Sequence, residues 1–362
     1  MARTTSRPGS ATVVSALALA TLVAAGMLEA QVYACRLDRT RVDGSLIADR
    51  TSIADVEAPL LLSARFAPNG TIVGIDRTAR QVMVLDADLN VVRTIGSNGP
   101  DFGGYTTVMA AAMDARGRVF VADGAQGVIA FGEDGGYLRR DALPPYFVPR
   151  EMATDGEVVY MTARAWWVGS QRQRPVLVRY DPSTGDSEVL LHQTPEWFGR
   201  PPVYRHRSPT LIPRVDAHGN VYVGFGQGYE IWRITGPEEY EVVVRGCVPE
   251  PALRLLRIRD ETPDIRVGQP LGLGSYQALV DFAVLPDGRV VTRSGLQIDE
   301  TGRRSLELYS PEGELLRAWS LGPGRLVSGW AAMDRGDPTR HVFRDAAGKI
   351  WLVRFPPLAG IN

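Results

Sequence analysis

Cysteine is almost absent from this chain: Cys35 and Cys247 are the only two in 362 residues. No disulfide framework holds such a sequence together, and at this length it buries ample apolar surface without one. Histidine is nearly as scarce, with His192, His206, His218 and His341 only, and no Cys or His spacing reads as a zinc site. The net charge of −1 gives no electrostatic argument for nucleic acid. There is no G-x-S-x-G nucleophile elbow, and Gly224-Phe225-Gly226-Gln227-Gly228 lacks the following helix of a phosphate loop. No sustained helical period appears after residue 30, which argues against doubly wound α/β folds. With 22% charged and 44% hydrophobic residues, the chain is also too apolar for disorder.

What is present is a repeat. Six times a glycine in a short polar turn is followed, two residues later, by the first apolar residue of a strand. The glycines are Gly70, Gly117, Gly156, Gly219, Gly288 and Gly348. Asn-Gly and Asp-Gly turns need φ > 0, which glycine adopts without steric cost. A short apolar segment precedes each glycine and strand-like segments follow it, with second tight turns such as Asp181-Pro182-Ser183-Thr184-Gly185. Four antiparallel strands per unit, recurring at a period of tens of residues, predict an all-β six-bladed β-propeller over residues 35–362, in one domain. The last unit has only two clear strands (341–344 and 349–355). Spare strand-like residues near the N-terminus, Val42 and 46–48, are expected to supply its outer strands and close the ring.

Residues 1–34 read as a targeting segment. Arg3 and Arg7 precede an uncharged apolar run from Ala11 to Leu28, followed by small residues, the secretory layout. The expectation is an exported protein, periplasmic or extracellular, cleaved after Ala30 or Ala34. The second site would leave Cys35 first, as in a bacterial lipoprotein, and an uncleaved membrane tether is the remaining alternative. Cys247 is treated as a lone thiol rather than a partner of Cys35.

Gly117-Arg118-Val119-Phe120-Val121-Ala122-Asp123, running on to Gly127–Phe131, resembles the core of an NHL-type repeat. The stretch Thr94–Pro100 with Phe102 and Gly103 resembles the lead-in such repeats carry. The resemblance implies a six-bladed propeller of the NHL-like and TolB-like kind. It does not imply one activity, because the fold hosts binders, lyases and lactonases.

In a propeller, the loops joining strands two and three and those joining blades share one face. The long excursions, 165–174, 193–210, 246–278, 296–304 and 322–340, all fall there, whereas first-to-second strand turns are tight. Two of these loops are rich in aromatic and arginine side chains: Arg164, Trp166 and Trp167 in one, Trp197, Tyr204, Arg205, His206 and Arg207 in the next. Indoles supply apolar stacking area and guanidinium groups supply planar donors. That mixture suits a protein partner or a small anionic or sugar-like ligand. Arg150, Asp281 and His341, toward the channel, join the candidate ligand-binding set. The same side chains packing on one another to hold the loops down is the competing structural explanation.

A binder, monomeric and without cofactor, is therefore favoured over an enzyme. The enzyme alternative is a metal-dependent, lactonase-like hydrolase at the central channel, a type that places a Glu, two Asn and an Asp there. Glu57 and Asp281 imitate two of these ligands, but no asparagine stands in an inner-strand position.

Overall fold

The computed structural model describes residues 45–46, 49–52, 61–76, 79–99, 103–124, 127–163, 174–195, 211–226, 229–245, 279–294, 304–321, 331–344 and 350–358. All regular structure in them is β. Two short N-terminal strands, β1 (Ser45–Leu46) and β2 (Asp49–Ser52), precede blade one, made of β3 (Leu61–Phe66), β4 (Ile72–Asp76), β5 (Gln81–Leu85) and β6 (Val91–Ile95). A short parallel pair, β7 (Ser97–Asn98) and β8 (Gly104–Tyr105), leads to blade two: β9 (Val108–Met113), β10 (Val119–Asp123), β11 (Val128–Phe131) and β12 (Tyr137–Asp141). Blade three holds β13 (Pro149–Thr154), β14 (Val159–Ala163), β15 (Leu177–Tyr180) and β16 (Ser187–Leu191). Blade four holds β17 (Leu211–Val215), β18 (Val221–Phe225), β19 (Glu230–Gly236) and β20 (Glu239–Arg245). Blade five comprises β21 (Leu279–Val284), β22 (Val290–Ser294), β23 (Arg304–Tyr309) and β24 (Leu315–Leu321). Blade six comprises β25 (Ala331–Met333), β26 (Arg340–Arg344) and β27 (Ile350–Arg354). Strand β2 pairs antiparallel with β27 as the fourth strand of blade six. The protein is a six-bladed β-propeller, the fold that the NHL-like segments imply.

The sixth unit corrects the sequence reading in three respects. The segments around 341–344 and 350–354 are its second and third strands, the first being β25. Gly348 therefore lies between strands two and three, and the first-to-second turn is 334–339. The N-terminus contributes one outer strand to this blade, at Asp49–Ser52, while Ser45–Leu46 pairs parallel with the outer strand of blade five.

Burial follows position in the blade. Strands β4, β10, β14, β18 and β22 are buried at every residue, because neighbouring blades cover both faces. The outer strand β6 exposes most of its length. Six apolar clusters fill the spaces between successive blades, the last joining Val342 of blade six to Ala64, Ile72 and Leu85 of blade one. Tyr105 Oη accepts from Val82 N–H (2.9 Å) and donates to the Ile95 carbonyl (2.7 Å), and burial pushes its phenol up to about 12. Such pairing offsets the cost of desolvating a hydroxyl.

The turns repeat as well. Asp114 Oδ1 accepts from the N–H groups of Arg116 and Arg118 (2.9 Å each), and Asp216 Oδ1 does the same for His218 (2.8 Å) and Asn220 (2.9 Å). These carboxylates satisfy turn amides that no strand partner reaches. His218 lies in such a turn, its Nε2 3.0 Å from the Pro286 carbonyl of the next blade's turn.

Candidate functional site

Strand direction defines two ends of the ring. At one end lie the first-to-second turns (67–71, 114–118, 155–158, 216–220, 285–289, 334–339), each short. The segments 164–176, 192–210, 246–278, 295–303 and 322–330 all leave from strands that finish at the opposite end. The excursion expected over 322–340 is thus shorter than its sequence reading, because 331–340 contains β25 and a tight turn. Arg164, Trp166, Trp167, Trp197, Tyr204, Arg205, His206 and Arg207 lie outside the described residues, as do Cys35, Glu57 and Cys247. Arg150 is exposed near the start of β13, at the loop-bearing end, where the β13–β14 register shifts.

Charge is concentrated where the inner strands β3, β9, β13, β17, β21 and β25 surround the axis. Arg65 of blade one forms an ion pair with Glu151 of blade three. The middle of the intervening blade's inner strand is Ala110, Ala111 and Ala112, small side chains that leave room for the reach. Arg214 of blade four pairs with Asp281 of blade five, and also donates from Nε to the Phe282 carbonyl (3.2 Å) and from Nη1 to the Pro213 carbonyl (2.6 Å). Asp281 is fully buried. Its Oδ1 also accepts from Phe282 N–H (2.8 Å) and its Oδ2 from Met333 N–H of blade six (2.7 Å), so one carboxylate joins three blades. Burial pushes the Arg214 guanidinium down from its usual value. Asp281 and Glu151 work against that shift, and Arg65 adds to it.

Arg335, in the first turn of blade six, crosses to blade three and donates to the Thr154 carbonyl (3.0 Å). Beside it, at the short-turn end of the axis, is a cavity of about 40 Å³ walled by Arg65, Arg214 and Arg335 with Met113, Met152 and Met333.

His341 sits on the second strand of blade six, fully buried, with Nε2 2.9 Å from the Pro338 carbonyl and its ring edge-on to Phe355 at 5.1 Å. Burial first, and Arg293 second, push its pKa down to about 3, so the imidazole is neutral at ordinary pH. Among the described residues no three His, Cys, Asp or Glu side chains converge as a metal site. The structure brings Asp281 into the axial network, whereas Arg150 and His341 stand apart from it. Arg65, Glu151, Arg214 and Arg335 complete that network without having been selected as a site from sequence.

No family model matches the chain, and no curated protein does. Solved structures do. A member of the DUF4221 family from Bacteroides vulgatus matches with a TM-score of 0.56 at 9% identity, over 86% of this chain and 98% of that one. A Bacteroides fragilis protein named as exported matches at 0.55 and 14%, over 90% and 98%. A gluconolactonase of Xanthomonas campestris matches at 0.50 and 15%, over 85% and 90%. At these identities the likeness is one of fold, and it agrees with the six blades described above.

Proposed function

We propose that this chain is an exported binding propeller that engages a protein or a small anionic or sugar-like ligand through its loop-bearing end. The observation that carries the reading is the asymmetry of the connections: five long segments leave from strands that finish at one end, and tight turns join the strands at the other. Long loops on a rigid scaffold are where binding residues concentrate. Two of these segments carry Trp166, Trp167, Arg205 and Arg207, side chains suited to stacking on sugar rings and to gripping carboxylates. The axis supports the same reading from the other side. The carboxylate that a channel-centred hydrolase would need at Asp281 is already committed to Arg214 and two backbone amides.

Export rests on Arg3, Arg7 and the apolar run 11–28. The N-terminal mass of protein recovered from its native host separates cleavage after Ala30 from lipidation at Cys35.

The binding test uses protein beginning at residue 36, hexuronate oligosaccharides as the anionic sugar probe, and photo-crosslinking from position 167 for a protein partner. A saturable interaction lost in a Trp167→Ala/Arg207→Ala double variant of unchanged melting temperature is the expected result. Binding that survives the double variant moves the site elsewhere. Stoichiometric bound metal, with a large loss of stability on chelation, replaces this reading with the lactonase-like hydrolase.

A further inference from the structure

The cavity at the short-turn end of the axis has a composition that the binding reading above does not use. Its lining includes three arginines, Arg65, Arg214 and Arg335, and no Asp or Glu. Arg65 is paired with Glu151 and Arg214 with Asp281. Arg335 is the surplus cation. Its guanidinium reaches the Thr154 carbonyl, and no carboxylate lies at ion-pair distance from it among the described residues. Asp155, Asp216 and Asp334 act on it only at longer range. Each is occupied locally: Asp155 by the N–H groups of Glu157 and Val158 (2.7 Å each), Asp216 by its turn and by Tyr222, Asp334 by Arg340 (3.2 Å). Partial burial of a guanidinium without a counter-charge costs free energy that a bound anion would recover.

Size and lining narrow the anion. About 40 Å³ holds roughly three water-sized groups, the scale of a carboxylate of three or four heavy atoms. The remaining wall includes Phe66, Met113, Met152 and Met333, apolar and soft enough to take a methyl group. Planar guanidinium forks match a planar carboxylate better than a halide.

We propose that this cavity is a binding site for a small monocarboxylate, with the carboxylate held between Arg335 and the Arg65/Arg214 pair and the apolar end against the methionines. The site is at the short-turn end, opposite the end from which the long segments leave the strands. A free monocarboxylate and the C-terminal carboxylate of a peptide share this chemistry, and the cavity size favours the free acid.

The test is equilibrium dialysis of radiolabelled acetate against protein beginning at residue 36, with chloride holding ionic strength constant. Saturation at one acetate per chain is expected, displaced by formate. Arg335→Gln is expected to weaken acetate at least roughly tenfold, since a hydrogen bond between charged groups is lost, while melting in chloride stays near that of the parent. Arg335→Lys restores part of the affinity. Absence of saturable acetate binding to the unaltered protein overturns the proposal, as does equal affinity in Arg335→Gln. Displacement by a peptide C-terminus in preference to formate reassigns the site to a peptide end.

Discussion

Arg340 Nη1 donates to the carbonyl of Gly70 at 3.1 Å, joining the last blade to the first across 270 positions of sequence. The same guanidinium donates from Nη2 to the Ala87 carbonyl (3.2 Å), pairs with Asp334 (3.2 Å) and lies 5.0 Å from the centre of the Phe66 ring. Ring closure thus has a polar bolt beside the apolar contact of Val342 with Ala64 and Ile72. Blade six also borrows its outer strand from the N-terminus, so two devices tie the ends together.

Arg340→Met keeps the apolar stem and removes the bolt. Two carbonyls then lose donors and a buried Asp334 loses its counter-charge, at a cost of about 3 kcal/mol. Urea denaturation is the measurement. A loss under about 1 kcal/mol would mean that water replaces the guanidinium and that β2 carries closure.

Asp281 offers a second test, at the axis. Replacing it with Asn preserves the shape and leaves the buried Arg214 without its nearest anion. Destabilisation of about 3 kcal/mol is expected, larger than the change from Glu151→Gln, because Asp281 also holds Phe282 and Met333 amides. If both substitutions cost the same, the three-blade junction is not cooperative. A double change, Arg214→Met with Asp281→Asn, should recover part of the loss, since it removes the uncompensated charge.

The propeller was legible in sequence because its turns are local. Gly70, Gly117, Gly156, Gly219 and Gly288 all take positive φ between first and second strands, and each was identified from the four residues around it. The sixth blade was expected, but its first-to-second turn escaped, because Pro338 stands two positions after Gly336 where the other turns place Ile or Val. The axial network was hidden for a different reason. Arg65 meets Glu151 across 86 positions and Arg214 meets Asp281 across 67, and only the packing of blades around the axis brings them together. One signal was available. Arg65 and Arg214 both stand five residues before a turn glycine, on inner strands that are otherwise largely apolar. A charge there is buried, and a buried charge needs a partner.

Gly185 and Gly219 share nearly the same backbone, φ +85° and +82°, in different surroundings. A Cβ at Gly185 would fall 2.2 Å from Arg139 Nη2 and 2.7 Å from Asp141 Oδ1, whereas one at Gly219 meets nothing within 4 Å. Gly219→Ala therefore bears only the left-handed backbone penalty, about 1 kcal/mol. Gly185→Ala adds displacement of the Arg139–Asp141 pair, which Tyr180 also contacts (2.5 Å), for a total of about 2–3 kcal/mol. Equal melting-temperature losses in the two variants would show that Arg139 swings aside freely.

His341 gives the fold a pH dependence whose direction is fixed by burial. The folded imidazole protonates near pH 3 and the unfolded one near 6.5. Between those values the unfolded chain carries the extra proton, so stability is complete above about pH 6.5 and falls as pH falls toward 3. The slope from this one group approaches about 1.4 kcal/mol per pH unit once the unfolded imidazole is fully charged. His341→Gln keeps a donor within reach of the Pro338 carbonyl and removes the titration. Urea melts at pH 7.5, 5.5 and 4.5 should therefore show the parent losing stability faster than the variant, with the two curves converging as pH falls. Parallel curves would mean that the buried ring is not what the acid attacks.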